Sequence, residues 1–287
     1  MTGRSDHLRG LAITTAGVLI LTPDSLLVRL IQADTWTLLF WRGLLMFAAL
    51  MALAAVRYRG DTRRRFRALG PTGAWAAAAF AGSMVFFVTA IKATAVANVL
   101  VIVSATPLFA ALFSRLFLGE PVPARTWAAI AVGMVAIAAI VGDGLGAGAM
   151  AGNGAALACS ACMAVALTLM RKTRSDNALP AMALSGLMVA VAALVPSAPF
   201  SVRGEDLALL ALLGLVVVPA AFVLTMVGPR YLPAAEVGLI FLLETVLGPF
   251  WVWLAIGERP PDMAFMGGAV LIATLVVHAW LGLRAGR

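Results

Sequence analysis

The sequence predicts an all-α integral membrane protein with ten transmembrane helices, arranged as two inverted five-helix repeats around a central cavity. Three observations support this prediction: the composition, the lengths of the apolar stretches and an internal repeat. Of the 287 residues, 62% are hydrophobic and 12% are charged, and the mean hydropathy is +1.01. A soluble domain carries roughly 25% charged residues, so the composition excludes an ordinary globular protein.

Ten apolar stretches, which we number spans 1 to 10, each have about 18 to 24 residues. At about 1.5 Å per residue, a helix of this length crosses a hydrocarbon core of about 30 Å. Span 1 contains Pro23 and Asp24 and lacks a small-residue cleavage site, so it is predicted to be a retained helix rather than a signal peptide. The spans are residues 8–31, 35–56, 73–92, 95–118, 124–142, 152–172, 178–196, 205–228, 234–256 and 261–283.

An internal repeat relates the two halves of the chain. The segment that begins at Ala93 and the segment that begins at Tyr231 are similar at an offset of 138 residues, and each closes on Gly-Glu. The pairs at this offset are Lys92 and Arg230, Ala97 and Ala235, Asn98 and Glu236, Ile102 and Ile240, and Gly119-Glu120 and Gly257-Glu258. Outside this segment, the equivalent pairs are Arg29 and Arg171, Gly43 and Gly186, and Ala129-x-x-x-Gly133 and Ala264-x-x-x-Gly268.

Each half contains five spans, and five is an odd number. The halves are therefore expected to have opposite orientations in the membrane, as in transporters that alternate around a site between two repeats. We predict a first repeat over residues 1–143 with spans 1 to 5, a Gly-rich joint over 144–151, and a second repeat over 152–287 with spans 6 to 10.

The basic residues predict the orientation. Of 21 lysines and arginines, 16 fall in the termini and alternate loops of one side, four fall on the opposite side, and Arg42 lies within span 2. Because positive charge favours the cytoplasmic side, both termini are predicted to be cytoplasmic. The net charge of +8 comes from these short loops, so no nucleic-acid partner is predicted, and the lipid bilayer is the expected surroundings.

The repeated segments KATAVANVLVIVSATPLFAALFSRLFLGEP and RYLPAAEVGLIFLLETVLGPFWVWLAIGER resemble the drug/metabolite transporter superfamily, in its ten-helix EamA-type branch. The chain looks most like the YddG-type exporters of aromatic and other amino acids. The resemblance implies a monomer-sized bundle in which spans 1 to 4 and 6 to 9 surround a central cavity. It places spans 5 and 10 to the side, where their small residues suit helix packing in lipid and form the candidate oligomer face.

The predicted function is secondary transport of small metabolites, with amino acids as the expected substrates, out across the bacterial inner membrane by alternating access. Alternatives are a carrier for another metabolite class, such as a nucleobase or drug, an integral membrane enzyme, or a channel. The sequence has no phosphate-binding Gly-rich loop with lysine and no histidine and carboxylate cluster, so no cofactor, metal or catalytic residue is predicted. Cys159 and Cys162 lie inside span 6 and are interpreted as packing residues.

Charges inside a membrane are costly, which makes each one a candidate for function. Asp24 and Arg42 both lie about seven residues, or roughly 10 Å, below the predicted outer surface, so they can meet. They form either a structural ion pair or a cavity-facing pair, in which Arg42 binds a substrate carboxylate and Asp24 an ammonium group or a proton.

Polar residues recur at equivalent depths in spans 4 and 9. Glu244 lies near the middle of span 9, and its counterpart in span 4 is Thr106, while Glu236 matches Asn98 nearer the opposite surfaces. These residues either bind substrate or protons or form hydrogen bonds between helices.

Prolines and aromatic residues complete the predicted site. Proline removes a backbone donor, so each intramembrane proline predicts a gating hinge or a static kink. Phe86 with Phe87, and Trp251 with Trp253, are predicted to give the cavity an apolar face for a ring-bearing substrate. The candidate hinges are Pro23, Pro107, Pro219 and Pro249.

Overall fold

The structure is a computed structural model, which describes residues 4–119, 124–143, 147–173, 178–202, 204–227, 231 and 234–285. Within these ranges the chain is helical and contains no strand. The helices are α1 Arg4–Leu21, α2 Asp24–Leu30, α3 Thr35–Tyr58, α4 Thr62–Arg67, α5 Gly70–Ala93, α6 Val96–Ser104, α7 Thr106–Phe113, α8 Ala124–Asp143, α9 Ala147–Thr173, α10 Ala178–Leu194, α11 Gly204–Ala211, α12 Val218–Val227, α13 Ala234–Ile256 and α14 Asp262–Ala285. Short π-helical segments follow α7, at Ser114–Leu118, and α11, at Leu212–Val217, and a 3-10 turn covers Pro199–Ser201.

Six helices of the described residues are long and apolar enough to cross a membrane. The prediction of an all-helical membrane protein is therefore confirmed at this level. Four shorter apolar helices coincide with the remaining predicted spans, and the count of ten crossings stays a prediction. The six long helices are Asp6–Leu30, Thr35–Tyr58, Gly70–Ala93, Val96–Leu116, Ala149–Met170 and Gly204–Thr225, and the shorter ones are Thr126–Ile140, Ala178–Leu194, Ile240–Ile256 and Asp262–His278.

Three of the four predicted proline hinges lie where a span departs from regular α-helix. Span 1 breaks between α1 and α2 at Pro23, and span 4 breaks at Ala105, just before Pro107. The π-helical segment of span 8 ends next to Pro219, which cannot donate a backbone hydrogen bond. In contrast, α13 runs through Pro249 as continuous helix.

Part of the segment predicted as the joint between the halves is helical. Residues 144–146 lie outside the described residues, and α9 begins at Ala147, so the second part of the predicted joint is the first turn of a helix. Gly152, early in this helix, sits so close to the α5–α6 connection that a Cβ there would lie 2.7 Å from Thr94 Cβ.

A close approach of α3 and α10 joins two residues that are equivalent in the sequence repeat. A Cβ on Gly43 would lie 2.6 Å from the Gly186 carbonyl oxygen, and a Cβ on Gly186 would lie 2.9 Å from the Gly43 carbonyl oxygen. The contact is reciprocal, as expected where a twofold axis passes between two equivalent elements. Any larger side chain at either position would push the two backbones apart.

The small residues of spans 5 and 10 pack inside the molecule. A Cβ on Gly133 of α8 would lie 3.1 Å from Leu271 of α14, and a Cβ on Gly267 of α14 would lie 2.8 Å from Ile140 of α8. Ala129 and Ala264 are also buried. An oligomer contact on α8 and α14 would therefore use their outward apolar side chains rather than these small residues, and the oligomeric face remains a prediction.

One apolar core holds the bundle together, with side chains from nearly every helix. Its largest fully buried members in the first half include Leu38, Met46, Leu50, Ile91 and Ile102. These residues lie on α3, α5 and α6, the helices that carry or adjoin the candidate site.

Several connections meet at one end of the bundle, which we call the outer end after the orientation that the basic residues predict. The Gln32 backbone donates to Asp206 Oδ1 over 2.9 Å, and the Lys92 ammonium donates to the Ile31 carbonyl. The Ala198 backbone donates to Thr37 Oγ1 over 2.9 Å. Connections from both halves of the chain are thus tied together here.

Candidate functional site

The centre of the candidate site is an ion pair between α2 and α3. Arg42 Nη1 donates to Asp24 Oδ1 over 2.6 Å, and Arg42 Nη2 donates to Asp24 Oδ2 over 2.9 Å. The two side chains are only 4% exposed. The parallel, bidentate geometry is the strongest arrangement available to an arginine and a carboxylate. The structure thus brings together the two residues that the sequence placed at one depth.

The pair leaves polar atoms without partners. Arg42 Nε is buried, and so is the Oγ of Ser25, the residue that follows Asp24. Neither atom has a hydrogen-bond partner within the described part of the chain. Buried donors and hydroxyls are nearly always paired in folded proteins, with protein or with water. The guanidinium also lies 5.8 Å from the centroid of the Phe87 ring. Arg42 Nε and Ser25 Oγ therefore retain unused hydrogen-bonding capacity near the buried ion pair.

Glu244 brings a second carboxylate to the same region. Its side chain, on α13, is half-buried and interacts electrostatically with both Asp24 and Arg42. Across the ranges that the structure covers, no hydrogen bond or salt bridge links Glu244 to another residue. Cys159 of α9, which is buried, lies in the same region. Asp24 is thus bonded to Arg42, and Glu244 adds a second carboxylate within electrostatic range of the pair.

The break in span 4 adds polar groups. Ala105 separates α6 from α7, and its backbone donates to Ile102 over 3.2 Å, so the regular i to i−4 ladder is interrupted here. Thr106 Oγ1 donates to the Val103 carbonyl over 2.6 Å and lies 3.1 Å from Ser160 Oγ on α9. Both hydroxyls are buried. Sequence reasoning found Thr106 but missed Ser160, whose position on α9 only the packing of the two helices reveals.

A second ion pair lies at the outer end and joins the two halves of the chain. Arg29 Nε and Nη2 each lie 2.9 Å from Glu258 Oε2, and Arg29 Nη1 donates to the Ile91 carbonyl over 2.6 Å. Glu258 Oε1 accepts from the Val96 backbone, over 3.0 Å, at the first turn of α6. Gly257, at φ +72°, makes the left-handed turn that ends α13 and presents Glu258. We call these four residues, Arg29, Ile91, Val96 and Glu258, the outer junction.

The outer junction was not among the predicted site residues, although the sequence held a signal for it. The Gly-Glu motif occurs in the repeated segment of each half, and its second copy is Gly257-Glu258. In the first copy, Gly119 has the same left-handed backbone, at φ +66°, while Glu120 lies outside the described residues.

The other predicted residues are dispersed. Asn98 is buried with an unpartnered Oδ1, near the outer junction rather than beside Asp24. Phe86 is 37% exposed, and its neighbour Phe87 contacts Arg42 instead. Trp251 is partly exposed, and its indole donates to Thr22 Oγ1, next to the break in span 1, over 3.0 Å.

Two further predictions concern Glu236 and the absence of a metal site. The side chain of Glu236 lies outside the described residues, so its predicted role stays a prediction. Among the residues described, no group of three or more His, Cys, Asp or Glu side chains is placed to hold a metal ion.

The fold and site define a class: an all-helical membrane protein with a charged centre buried between its helices. A family model places the chain more narrowly. The model described as the EamA-like transporter family matches twice, over residues 10–142 and 150–280. The chain belongs to the EamA-like transporter family, and it is a membrane transporter of small molecules built from two copies of the family's domain. Members of this family are transporters rather than enzymes, which agrees with the sequence prediction.

A solved structure supports the fold independently. This structure, described only as "Crystal structure of protein", is similar to the chain with a TM-score of 0.70, over 96% of this chain and 99% of that chain. The sequence identity is 18%, so the likeness concerns the fold alone. No curated protein matches the chain significantly.

Proposed function

We propose that the protein is a secondary transporter that exports neutral amino acids, aromatic ones among them, across a bacterial inner membrane by alternating access. The observation that carries the proposal is the charged centre formed by Asp24, Arg42 and Glu244. An amino acid is a zwitterion, and this centre offers a guanidinium for its carboxylate and carboxylates for its ammonium group. The unpartnered Arg42 Nε and Ser25 Oγ supply further groups that a ligand can satisfy.

We propose that alternation runs about an axis between α3 and α10, with ten helices in two inverted repeats and both termini in the cytoplasm. The reciprocal contact of Gly43 and Gly186 supports this arrangement, because the two residues are equivalent in the sequence repeat. A binding site between two inverted repeats can face each side in turn as one bundle rocks against the other.

The orientation is tested by labelling single cysteines in intact cells with a membrane-impermeant maleimide. Arg63→Cys, in the basic loop around α4, should react only after the membrane is permeabilised, whereas Val195→Cys, 91% exposed after α10, should react at once. Reaction of both positions in intact cells would contradict the proposed topology.

The transport activity is tested with the purified full chain in proteoliposomes. Labelled phenylalanine, other neutral amino acids and nucleobases are each offered with and without an imposed pH gradient. We expect saturable counterflow of amino acids, accelerated by the gradient, and none in protein-free liposomes. Saturable flux of nucleobases alone would show that nucleobases, and not amino acids, are the substrates. Non-saturable flux would indicate a channel.

A further inference from the structure

We propose that the outer junction borders a second binding pocket, which accepts the zwitterionic head of an α-amino acid at the outer end of the protein. The inference rests on the proposed function, because it assigns a second site to the same substrate class. It starts from a cavity of about 510 Å³, a size typical of small-ligand sites. The lining residues are Arg29, Thr94, Ala95, Asn98, Ala149, Glu258 and Pro261.

Asn98 brings an unsatisfied hydrogen-bond acceptor to the pocket. Asn98 is 6% exposed, it lines the cavity, and its Oδ1 has no hydrogen-bond partner among the described residues. A buried amide oxygen without a donor costs free energy, so a site that supplies a donor there is favoured. An ammonium group carries three donors, and Asn98 and Glu258, which both line the pocket, have oxygens that can accept them.

The pocket also carries charge of both signs. Among the described residues that line it, one is positive, Arg29, and one is negative, Glu258, and their side chains are 28% and 21% exposed. A ligand with a carboxylate and an ammonium group complements both. A ligand with only an amine or only a carboxylate leaves one of the two side chains without a partner of opposite charge. Ala95, Ala149 and Pro261 give the remaining wall little polarity, which suits a neutral side chain.

A bound ligand competes with the ion pair of the outer junction. Arg29 and Glu258 are already bonded to each other, so a zwitterion that takes hold of both must loosen that bond. Because the pair joins α2 in the first half to the end of α13 in the second, a bound ligand favours a conformation in which the outer junction is open. The pocket is thus expected to hold substrate at the outer face while the outer end opens.

The test measures protection of a cysteine inside the pocket. Cys159→Ala and Cys162→Ala remove the native thiols, and Ala149→Cys is labelled by a maleimide in nanodiscs, where both faces are accessible. The ligands are L-phenylalanine, 2-phenylethylamine and 3-phenylpropionate, which share a ring and differ in their charged groups. Val195→Cys is the exposed reference on the same end of the molecule.

We expect L-phenylalanine to slow labelling of Ala149→Cys, and each single-charge analogue to need at least tenfold higher concentration for the same effect. Labelling of Val195→Cys should not change. In the Ala149→Cys background, Glu258→Gln and Asn98→Ala should each raise the half-protecting concentration of L-phenylalanine about tenfold. Asp206→Asn, which lies at the same end but outside the pocket, should leave it unchanged.

Equal protection by the three ligands, or no protection by L-phenylalanine, would overturn the proposal of a pocket for a zwitterion. Transport assays on the same protein separate this failure from failure of the proposed function. Amino acids that are transported without protecting Ala149→Cys contradict the outer pocket alone. Amino acids that protect without being transported support the pocket and contradict the proposed transport.

Discussion

The helix α2 carries an ion pair at each end, and the two pairs differ in burial and in the halves of the chain that they join. At its first residue, Asp24 bonds to Arg42 of the same half, and both side chains are 4% exposed. In its last turn, Arg29 bonds to Glu258 of the other half, and these side chains are 28% and 21% exposed. The inner pair is fixed by burial, and the outer pair can separate into water.

This difference assigns distinct roles within a transporter. Removing one partner of a buried pair leaves a charge without water, whereas an exposed pair exchanges its partner for solvent at little cost. The inner pair is therefore suited to hold the binding site in one arrangement through the cycle. The outer pair is suited to close and open one end, because it is partly exposed and joins the two halves.

The largest effect is expected from breaking the inner pair. Arg42→Met removes the guanidinium and leaves the Asp24 carboxylate buried, which should cost roughly 3–5 kcal/mol of folding free energy. We expect a large fall in the thermal unfolding midpoint in detergent and no transport. Adding Asp24→Asn should recover much of the stability without recovering transport. A stable, active Arg42→Met protein would show that the pair is peripheral.

A smaller and purely functional effect is expected at Glu244. Its carboxylate lies within electrostatic range of Asp24 and Arg42, and we propose that it takes up a proton when substrate leaves. Glu244→Gln should fold with unchanged stability, retain substrate exchange and lose acceleration by a pH gradient. Proteoliposome flux with and without the gradient measures this directly. Flux driven as strongly by pH as in the unmodified protein would make Glu244 a packing residue.

The matched change at the outer pair should cost far less stability. Arg29→Met removes the same kind of side chain as Arg42→Met, from a pair that is partly exposed, and should cost about 1 kcal/mol. Thermal unfolding of the Arg29→Met and Arg42→Met variants side by side compares the two losses of stability. Labelling of a cysteine at Ala149 should become faster, because the outer junction has lost one of its links. Equal losses of stability in the two variants would refute the contrast between the pairs.

The sequence predicted the inner pair and not the outer one, for a geometric reason. Depth along a span follows from counting residues, so Asp24 and Arg42 could be placed at the same level. Which residues of two distant spans meet depends on how the helices rotate and cross. Arg29 and Glu258, 229 residues apart, meet only because the two halves pack together.

Rotation about a helix axis also explains the aromatic residues. Neighbouring positions differ by about 100° around an α-helix, so a sequence that places a pair of rings at one depth does not say which ring faces inward. The structure brings Phe87 against Arg42 and leaves Phe86 partly exposed. By contrast, the small residues Gly43 and Gly186 were found as equivalents from sequence alone, because the repeat itself relates them.

An effect as small as that of Arg29→Met is expected at a carboxylate of the outer end that belongs to neither pair. Asp34 caps α3 by accepting from the Trp36 and Thr37 backbones, over 2.9 Å and 3.0 Å. Its slight burial acts to raise the pKa of the carboxyl, but the hydrogen bonds from Thr37 and Trp36 outweigh it and lower the pKa below its ordinary value of 3.8. The cap therefore stabilises the fold fully above about pH 4, and its contribution is lost as the pH falls through the lowered pKa. Asp34→Ala should cost about 1 kcal/mol at neutral pH. The difference from the unmodified protein should shrink on acidification. A difference in unfolding midpoint that stays constant from pH 7 down to pH 3 would show that Asp34 acts by packing and not by its charge.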